Sequence, residues 1–184
     1  MSLVLLCLFD RMEKIAMKKF ELTADRIEEK GVTLHRIKAL IDFGDVKAGE
    51  LGGYVEKEEN LSQYGNAWVY RHAKVFGNAC VYGNAWVYDN AQVSGDAQVH
   101  GDAQVHGDAW ICDDADYIYL KGFGSHNRST TMFRAKSGNI CVSCGCFSGT
   151  LQEFESKVKE THGNNKFARE YLALVEAAKI HFEV

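Results

Sequence analysis

Hydrophobic and polar positions repeat with a strict period of six through residues 65–116, beginning with the phrase GNAWVY at Gly65. The third position of each phrase is alanine: Ala67, Ala73, Ala79, Ala85, Ala91, Ala97, Ala103, Ala109 and Ala115. The fifth position is valine from Val69 to Val105 and then Ile111. A period of six fits neither a 3.6-residue helix nor an ordinary strand. It predicts a parallel β-helix built from hexapeptide repeats.

The chemistry of the hexad agrees with this geometry. Glycine followed by Asn or Asp suits a corner, because these residues tolerate positive φ or hydrogen-bond to the nearby backbone. Three hexads then form one triangular coil of 18 residues, and coils stack at a spacing of about 4.8 Å. One coil cannot bury its own valines, so the stability must come from stacking.

The segments before the repeat predict an extension and a lead-in. Residues 1–16 contain the apolar run Leu3–Phe9, which no basic residue precedes and no small-residue cleavage site follows. This pattern favours an N-terminal extension over a secretory signal, with Met17 as a second possible start. Residues 17–64 predict lead-in strands and a capping coil, with a short helix over residues 23–31 and a strand pair over residues 32–43.

The capping coil is expected from two degenerate hexads. Val55 and Leu61 fall at the alanine position of the repeat, whereas Lys57 and Gln63 fall at the valine position. Terminal repeats commonly lose the consensus because they cover the end of the stack.

The six-residue period is absent from residues 117–184. This segment predicts a small α+β module of a hairpin plus two helices. Residues 117–120 are strand-like, and residues 130–135 and 140–144 have the pattern of a β-hairpin. Thr150 and Glu153 form a capping-box signature that opens a helix. A second helix carries one apolar stripe: Phe167, Tyr171, Leu174, Val175 and Ala178. A module of this size needs docking against the β-helix or a partner to be stable.

The nine hexads, together with the lead-in over residues 41–55, resemble the hexapeptide-repeat superfamily of left-handed parallel β-helix proteins. The resemblance is strongest to small bacterial and prophage proteins that carry the labels polymer-forming or putative transferase. It implies a mainly β fold of 18-residue triangular coils with a C-terminal α+β appendage. It also implies a homotrimer that associates through prism faces, and a prophage accessory or counter-defence role.

The same resemblance implies an alternative function, an acyltransferase that uses an acyl-CoA donor and a histidine as general base. His100 and His106 are the candidates, both at the last position of GDAQVH, and either can accept a proton near neutral pH. The hexads contain no extruded loop that would build an acceptor pocket. We therefore assign no catalytic residue and no cofactor to the chain, with the CoA thioester belonging only to the alternative.

Aromatic residues recur along the walls of the predicted prism. A spacing of 18 residues puts Trp68 below Trp86, and Tyr70 below Tyr88 and His106. Such columns either shield the sheet or form a subunit interface, and we favour the interface for these five residues.

Two polar clusters in the tail are candidate sites. The segment 124–131 concentrates hydroxyls, one histidine and one arginine, which suits a small anion; its candidate ligand-binding residues are Ser125, His126, Arg128, Thr130 and Thr131. A weaker metal hypothesis uses the thiol and imidazole groups of Cys141, Cys144, Cys146 and His162. Packed thiols are the favoured interpretation of these cysteines, so no metal is assigned.

Charge and composition narrow the function class. The formal net charge is −4, with 2 basic and 7 acidic residues over 65–116 but 9 basic and 6 acidic residues over 117–184. An acidic wall argues against a nucleic-acid groove, and no apolar run reaches transmembrane length. The six cysteines are typical of reduced thiols in the cytoplasm. The sequence thus favours a non-catalytic binding protein whose C-terminal module captures a small anionic ligand or a partner protein.

Overall fold

The computed structural model describes residues 18–184, so the expectations for residues 1–16 and for Met17 lie outside the described part. The lead-in is a set of three strands, β1 (Phe20–Glu29), β2 (Val32–Ala39) and β3 (Leu51–Val55). Strands β1 and β2 form an antiparallel hairpin, and β3 continues the sheet. The helix expected over residues 23–31 is therefore wrong. Lys30 and Gly31 adopt φ values of 50° and 81°, and two consecutive left-handed residues suit a tight hairpin turn.

The capping coil departs from the regular repeat by two residues. Val55 pairs with Val75, and Leu61 bridges to Val81, at a separation of 20 residues in both cases. Val55 and Leu61 therefore occupy the valine position of the coil, and their expected placement at the alanine position is wrong. The two extra residues are Gln63 and the exposed Tyr64, because hydrogen bonds to the next coil resume their normal offset at Asn66.

The hexads form the β-helix that the sequence predicts. Its wall strands contain two residues each: β4 (Trp68–Val69), β5 (Lys74–Val75), β6 (Cys80–Val81), β7 (Trp86–Val87), β8 (Gln92–Val93), β9 (Gln98–Val99), β10 (Gln104–Val105) and β11 (Trp110–Ile111). Residues that pair in neighbouring coils lie 18 positions apart in the sequence. Trp86, for example, pairs with Trp68 of the preceding coil and with Gln104 of the following coil. The valines from Val69 to Val105 and Ile111 have no exposed surface, so they fill the interior of the stack.

The C-terminal part is a sheet covered by two helices. Its elements are β12 (Tyr117–Phe123), β13 (Arg128–Arg134), β14 (Ile140–Cys144), β15 (Phe147–Thr150), α1 (Leu151–His162) and α2 (Lys166–Phe182). The expected hairpin is β13 and β14, and the sheet extends it by one strand on each side. The capping box at the start of α1 is present: the Thr150 hydroxyl accepts from the Glu153 amide at 3.2 Å. No helix among residues 18–184 is long and apolar enough to cross a membrane.

The antiparallel sheet lies between the end of the β-helix and the two helices. Tyr117 and Phe133 belong to the core of the β-helix, whereas Met132 and Val142 pack with the helices. The amide of Gln104 donates to the Thr131 hydroxyl at 3.0 Å, which connects the last coil to β13. The module is thus stabilised by docking on its own β-helix, as its size requires.

Candidate functional site

The strongest candidate site is a cavity of about 380 Å³ in the C-terminal module. It lies where the β12–β13 turn, the β14–β15 turn and the two helices meet. The cavity is lined by Ser125, His126, Arg128, Cys144, Cys146, Phe147, Phe154, Lys157, Val158, Thr161, His162 and Tyr171. The cavity therefore contains three of the candidate anion-binding residues, Ser125, His126 and Arg128. It also contains three of the candidate metal ligands, Cys144, Cys146 and His162. The sequence analysis placed these residues in two separate clusters.

Arg128 is the main charged group of this cavity. It is half-buried at the start of β13, and its guanidinium makes no side-chain hydrogen bond or ion pair within residues 18–184. A Cβ atom at Gly145, which has a φ of 61°, would overlap that guanidinium. Glycine at this turn is therefore what lets the arginine pass beside the β14–β15 connection.

The electrostatic character of the cavity is positive. Its lining contains Arg128 and Lys157 but no Asp or Glu. Lys157 is paired with Glu160 at 3.0 Å and is largely exposed, so its charge is partly compensated and screened by water. Two histidines, His126 and His162, also line the cavity. A cavity with this charge favours an anion over a cation.

Tyr171 supplies a polar group on the helix side. Its hydroxyl donates to the Phe123 carbonyl at 3.4 Å and accepts from the Cys144 thiol at 3.8 Å. Burial, and secondarily the neighbouring Cys144, raises the pKa of Tyr171 to about 12. The phenol consequently stays protonated at physiological pH and remains a hydrogen-bond donor.

Two of the expected ligand-binding residues are not available to a ligand. Thr130 and Thr131 have 0% and 1% of their surface exposed, since they lie within strand β13 and not in an open loop. Thr130 donates to the Cys144 thiol at 3.2 Å, and Thr131 accepts from Gln104. Their assignment as ligand-binding residues is wrong, and both hydroxyls stabilise the module instead. Ser125 and His126 stay exposed in the turn, with Ser125 Oγ 2.8 Å from His126 Nδ1.

The expected metal ligands do not form a metal centre. No group of three or more metal-ligating side chains occurs in the part of the chain that the structure describes. Cys141 packs toward the β-helix core, whereas Cys144 packs with the helices, because their separation of three residues places them on opposite faces of β14. Cys146 and His162 line the cavity beside Cys144. Three of the four candidate ligands therefore lie at the cavity, and Cys141 lies apart from them.

The aromatic columns exist, but the flanking modules cover parts of them. Trp68 is fully buried beneath the lead-in, with Phe43 and Phe20 rings at 5.3 Å and 6.2 Å. Its assignment to a subunit interface is wrong, because the chain itself covers it. His106 is half-buried between the Tyr88 ring at 5.1 Å and the Phe133 ring at 5.2 Å.

Between these covered ends, a groove of about 500 Å³ remains on the same wall. Its lining includes Tyr70, Trp86 and Tyr88. The Tyr70 and Trp86 rings meet edge to face at 5.7 Å. These three residues are the part of the expected interface that stays accessible.

The two candidate bases differ in their surroundings. His106 Nε2 lies 3.2 Å from Ser148 Oγ, and burial lowers the pKa of this imidazole below its usual range although the charge of Asp89 opposes the effect. His106 is therefore neutral near pH 7, the form that accepts a proton. His100 stacks on Tyr82 at 5.4 Å and meets Tyr119 edge to face at 6.0 Å. Neither histidine lines the 380 Å³ cavity.

Sequence reasoning missed six residues of the cavity. They are Phe147, Phe154, Lys157, Val158, Thr161 and Tyr171. Tyr171 was predicted only as part of the apolar stripe of the second helix. These residues come together only when the two helices dock on the sheet, which no local motif of the sequence encodes.

Comparison with known proteins gives one short similarity. No protein-family model matches the chain. A segment of 42 residues, 23% of the chain, is 48% identical to the uncharacterized acetyltransferase YdcK of Escherichia coli (strain K12). The similarity covers 13% of the length of that protein. It agrees with the hexapeptide-repeat β-helix that the structure shows.

Proposed function

We propose that this protein is a non-catalytic β-helix that captures a small anionic ligand in the cavity of its C-terminal module. One observation carries the proposal: Arg128 lines a cavity without carboxylates, and its guanidinium has no hydrogen-bond or ion-pair partner within residues 18–184, although Arg128 also borders a smaller pocket that contains Asp102. An arginine is always charged at physiological pH and presents a planar fork of donors that matches a phosphate or carboxylate. A bound anion would complete this arrangement.

The surrounding groups support the same ligand class. Ser125 and His126 add hydrogen-bonding groups beside Arg128, whereas the Tyr171 phenol already donates to the Phe123 carbonyl. The module rests on the β-helix through Gln104 and Thr131, so the strand that carries Arg128 is held by a rigid support. Rigid placement of donors favours binding because little conformational entropy is lost when the ligand enters.

Ligand capture also suits the wider role that the resemblance to prophage hexapeptide-repeat proteins implies. A protein that removes a small molecule by sequestration needs no general base, so a prophage accessory or counter-defence role is compatible with this site. We further propose self-association as a homotrimer through the groove of Tyr70, Trp86 and Tyr88. On this wall a partner surface would contact the groove, because the chain covers the wall on both sides of it.

Replacement of Arg128 by alanine tests anion capture. Isothermal titration calorimetry with inorganic phosphate should give a measurable affinity for the native protein. The Arg128→Ala variant should bind about 1.5–3 kcal/mol more weakly, the range for a hydrogen bond to a charged group. Arg169→Ala is the matched control, since Arg169 is exposed on α2 and does not line the cavity. Equal phosphate binding by both variants would contradict the proposal.

A second candidate is an acyltransferase, favoured by the name of the relative and by the neutral His106 beside Ser148. In that reaction an acceptor nitrogen or oxygen attacks the thioester carbonyl of an acyl-CoA. The histidine takes the acceptor's proton, the new carbon–nitrogen or carbon–oxygen bond forms, and CoA leaves through its sulfur. A histidine base typically contributes about 10²–10⁴-fold in rate.

Acetyl-CoA turnover separates the two candidates. With sugar, amine and amino-acid acceptors, we expect no release of free CoA above the uncatalysed rate. Robust transfer that is lost in His106→Ala or His100→Ala but unchanged in Arg128→Ala would establish the acyltransferase and remove the capture proposal.

A further inference from the structure

This inference rests on the proposed anion capture and identifies the class of ligand. We propose that the cavity binds a mononucleotide, with its phosphate at Arg128 and its base against the aromatic wall of the cavity. The aromatic wall is defined by Phe147, Phe154 and Tyr171.

The aromatic wall is continuous across three elements. Phe147 at the start of β15 lies 5.2 Å from Phe154 of α1, measured between ring centroids and with the planes tilted by 53°. Phe154 meets Tyr171 of α2 edge to face at 5.5 Å, and His162 lies 5.9 Å from Tyr171. Phe154 and Tyr171 are buried, with 4% and 5% of their surface exposed, whereas Phe147 is half-buried, so Phe147 is the ring of this wall on which a base would stack. An aromatic wall adds no binding free energy for inorganic phosphate, whereas a nucleotide base gains affinity by stacking on aromatic side chains.

The cationic group and the aromatic wall are adjacent in the chain. Arg128 passes beside Gly145, and Phe147 follows two residues later on the same turn. A ligand that contacts both must combine a compact anion with a flat apolar ring over a short distance. A nucleoside monophosphate has this composition, since a ribose separates its phosphate from its base.

Polar groups are also present where the edge of a base would need partners. Thr161 and His162 line the cavity on the α1 side, and neither side chain forms a hydrogen bond within residues 18–184. Hydrogen bonds to the edge of an unpaired base, combined with stacking, are the usual means by which proteins recognise single nucleotides.

The size of the cavity limits the ligand to one nucleotide unit. Its volume of about 380 Å³ is near the lower end of the range of about 300–1,000 Å³ for small-molecule sites. The acidic wall of the β-helix, with 7 acidic and 2 basic residues over 65–116, offers no path for a longer strand. A single nucleotide therefore fits better than an oligonucleotide.

A series of related probes tests the base and the phosphate separately. Calorimetric titration with adenosine 5′-monophosphate, uridine 5′-monophosphate, ribose 5-phosphate, adenosine and inorganic phosphate uses the full chain. At least one nucleotide should bind about 5- to 150-fold more tightly than ribose 5-phosphate, the fold-change that corresponds to stacking of one base. Phe147→Leu should remove this difference and leave ribose 5-phosphate binding unchanged. Tyr64→Leu, which replaces an exposed aromatic side chain far from the module in sequence, is the matched control.

The outcomes distinguish this inference from the proposal on which it rests. Equal affinities for nucleotides and ribose 5-phosphate would overturn the nucleotide assignment and leave anion capture intact. If adenosine binds as tightly as adenosine 5′-monophosphate, the phosphate contributes nothing to the affinity. This result would overturn the role of Arg128 both in anion capture and in nucleotide binding. The absence of binding by every probe would remove the nucleotide and the phosphate site together. If Phe147→Leu fails to fold, the comparison of probes on the native protein still decides the question.

Discussion

At the scale of single residues, the lead-in contains a buried side-chain amine, that of Lys19. Lys19 has 1% of its surface exposed, donates to the Ala67 carbonyl at 2.8 Å and lies 5.0 Å from the centre of the Phe43 ring. Burial lowers the pKa of Lys19 to about 8. The folded chain therefore releases this proton at a lower pH than the unfolded chain, so the stability should rise with pH above about 8.

Replacement of Lys19 by methionine should remove that dependence. Between pH 8 and 9.5 the free energy of unfolding of the native protein should rise by about 1.5 kcal/mol relative to Lys19→Met. Urea denaturation at several pH values measures the difference. The control variant Lys136→Met replaces an exposed lysine, and its free energy of unfolding should change with pH as that of the native protein does. Parallel curves for the native protein and Lys19→Met would show that Lys19 does not titrate in this range.

Residue patterns predicted some of these positions and not others. The inward valines follow from the hexad alone, because the repeat fixes which side chain points into the coil. The burial of Trp68 and Lys19 does not follow from it, since the lead-in that covers them carries no hexad. The strand that contains Thr130 and Thr131 was predicted, but the burial of both hydroxyls depends on how that strand packs between the β-helix and the helices.

At the scale of elements, the two extra residues of the capping coil attach the lead-in. The Gln63 side-chain carbonyl accepts from the amides of Lys19 and Phe20 at 2.8 Å and 3.3 Å, and its amide donates to the Phe20 carbonyl at 3.4 Å. These bonds attach the start of β1 to the capping coil, in addition to the pairing of Phe20 with Ala39 of β2. The degenerate hexad predicted a cap, but not that its irregular residue would bind the lead-in strand.

Replacement of Gln63 by alanine should weaken this attachment. The loss leaves two backbone amides without partners, at a cost of about 1–3 kcal/mol each at most. Hydrogen exchange at Phe20 and Lys19 should accelerate, while exchange in the middle coil around Val87 stays slow. Gln92→Ala, on the wall strand β8, should change neither. Unchanged exchange at both amides in Gln63→Ala would contradict the attachment.

Element types were predictable where local signals agree. The capping box of α1 and the β13–β14 hairpin follow from short motifs, and both are present. The segment 23–31 has helix-forming residues, but its pairing with the alternating strand β2 overrides that preference. Strands β12 and β15 complete the sheet as hairpin partners of β13 and β14 across short turns. Only residues 117–120 of β12 were predicted to be strand-like.

At the scale of the whole molecule, the β-helix is covered at both ends by its own chain. The lead-in covers Trp68 on one side, and the C-terminal sheet contacts Gln104 on the other. The candidate cavity forms at the outer side of that sheet, where residues from 125 to 171 converge. The sequence identified Ser125, His126 and Arg128 as candidates, but their meeting with Phe154 and Tyr171 depends on how the helices dock.

Native mass spectrometry of the protein purified from the organism that carries it tests the central claim most directly. The native chain should carry a small adduct of one mass per protomer, because the cavity holds an anionic ligand through Arg128, and the same spectrum counts the chains in the proposed trimer. The Arg128→Ala variant should lack the adduct while keeping the same number of chains. An adduct of equal occupancy in both proteins, or bare masses for both, would contradict capture of an anion by this cavity.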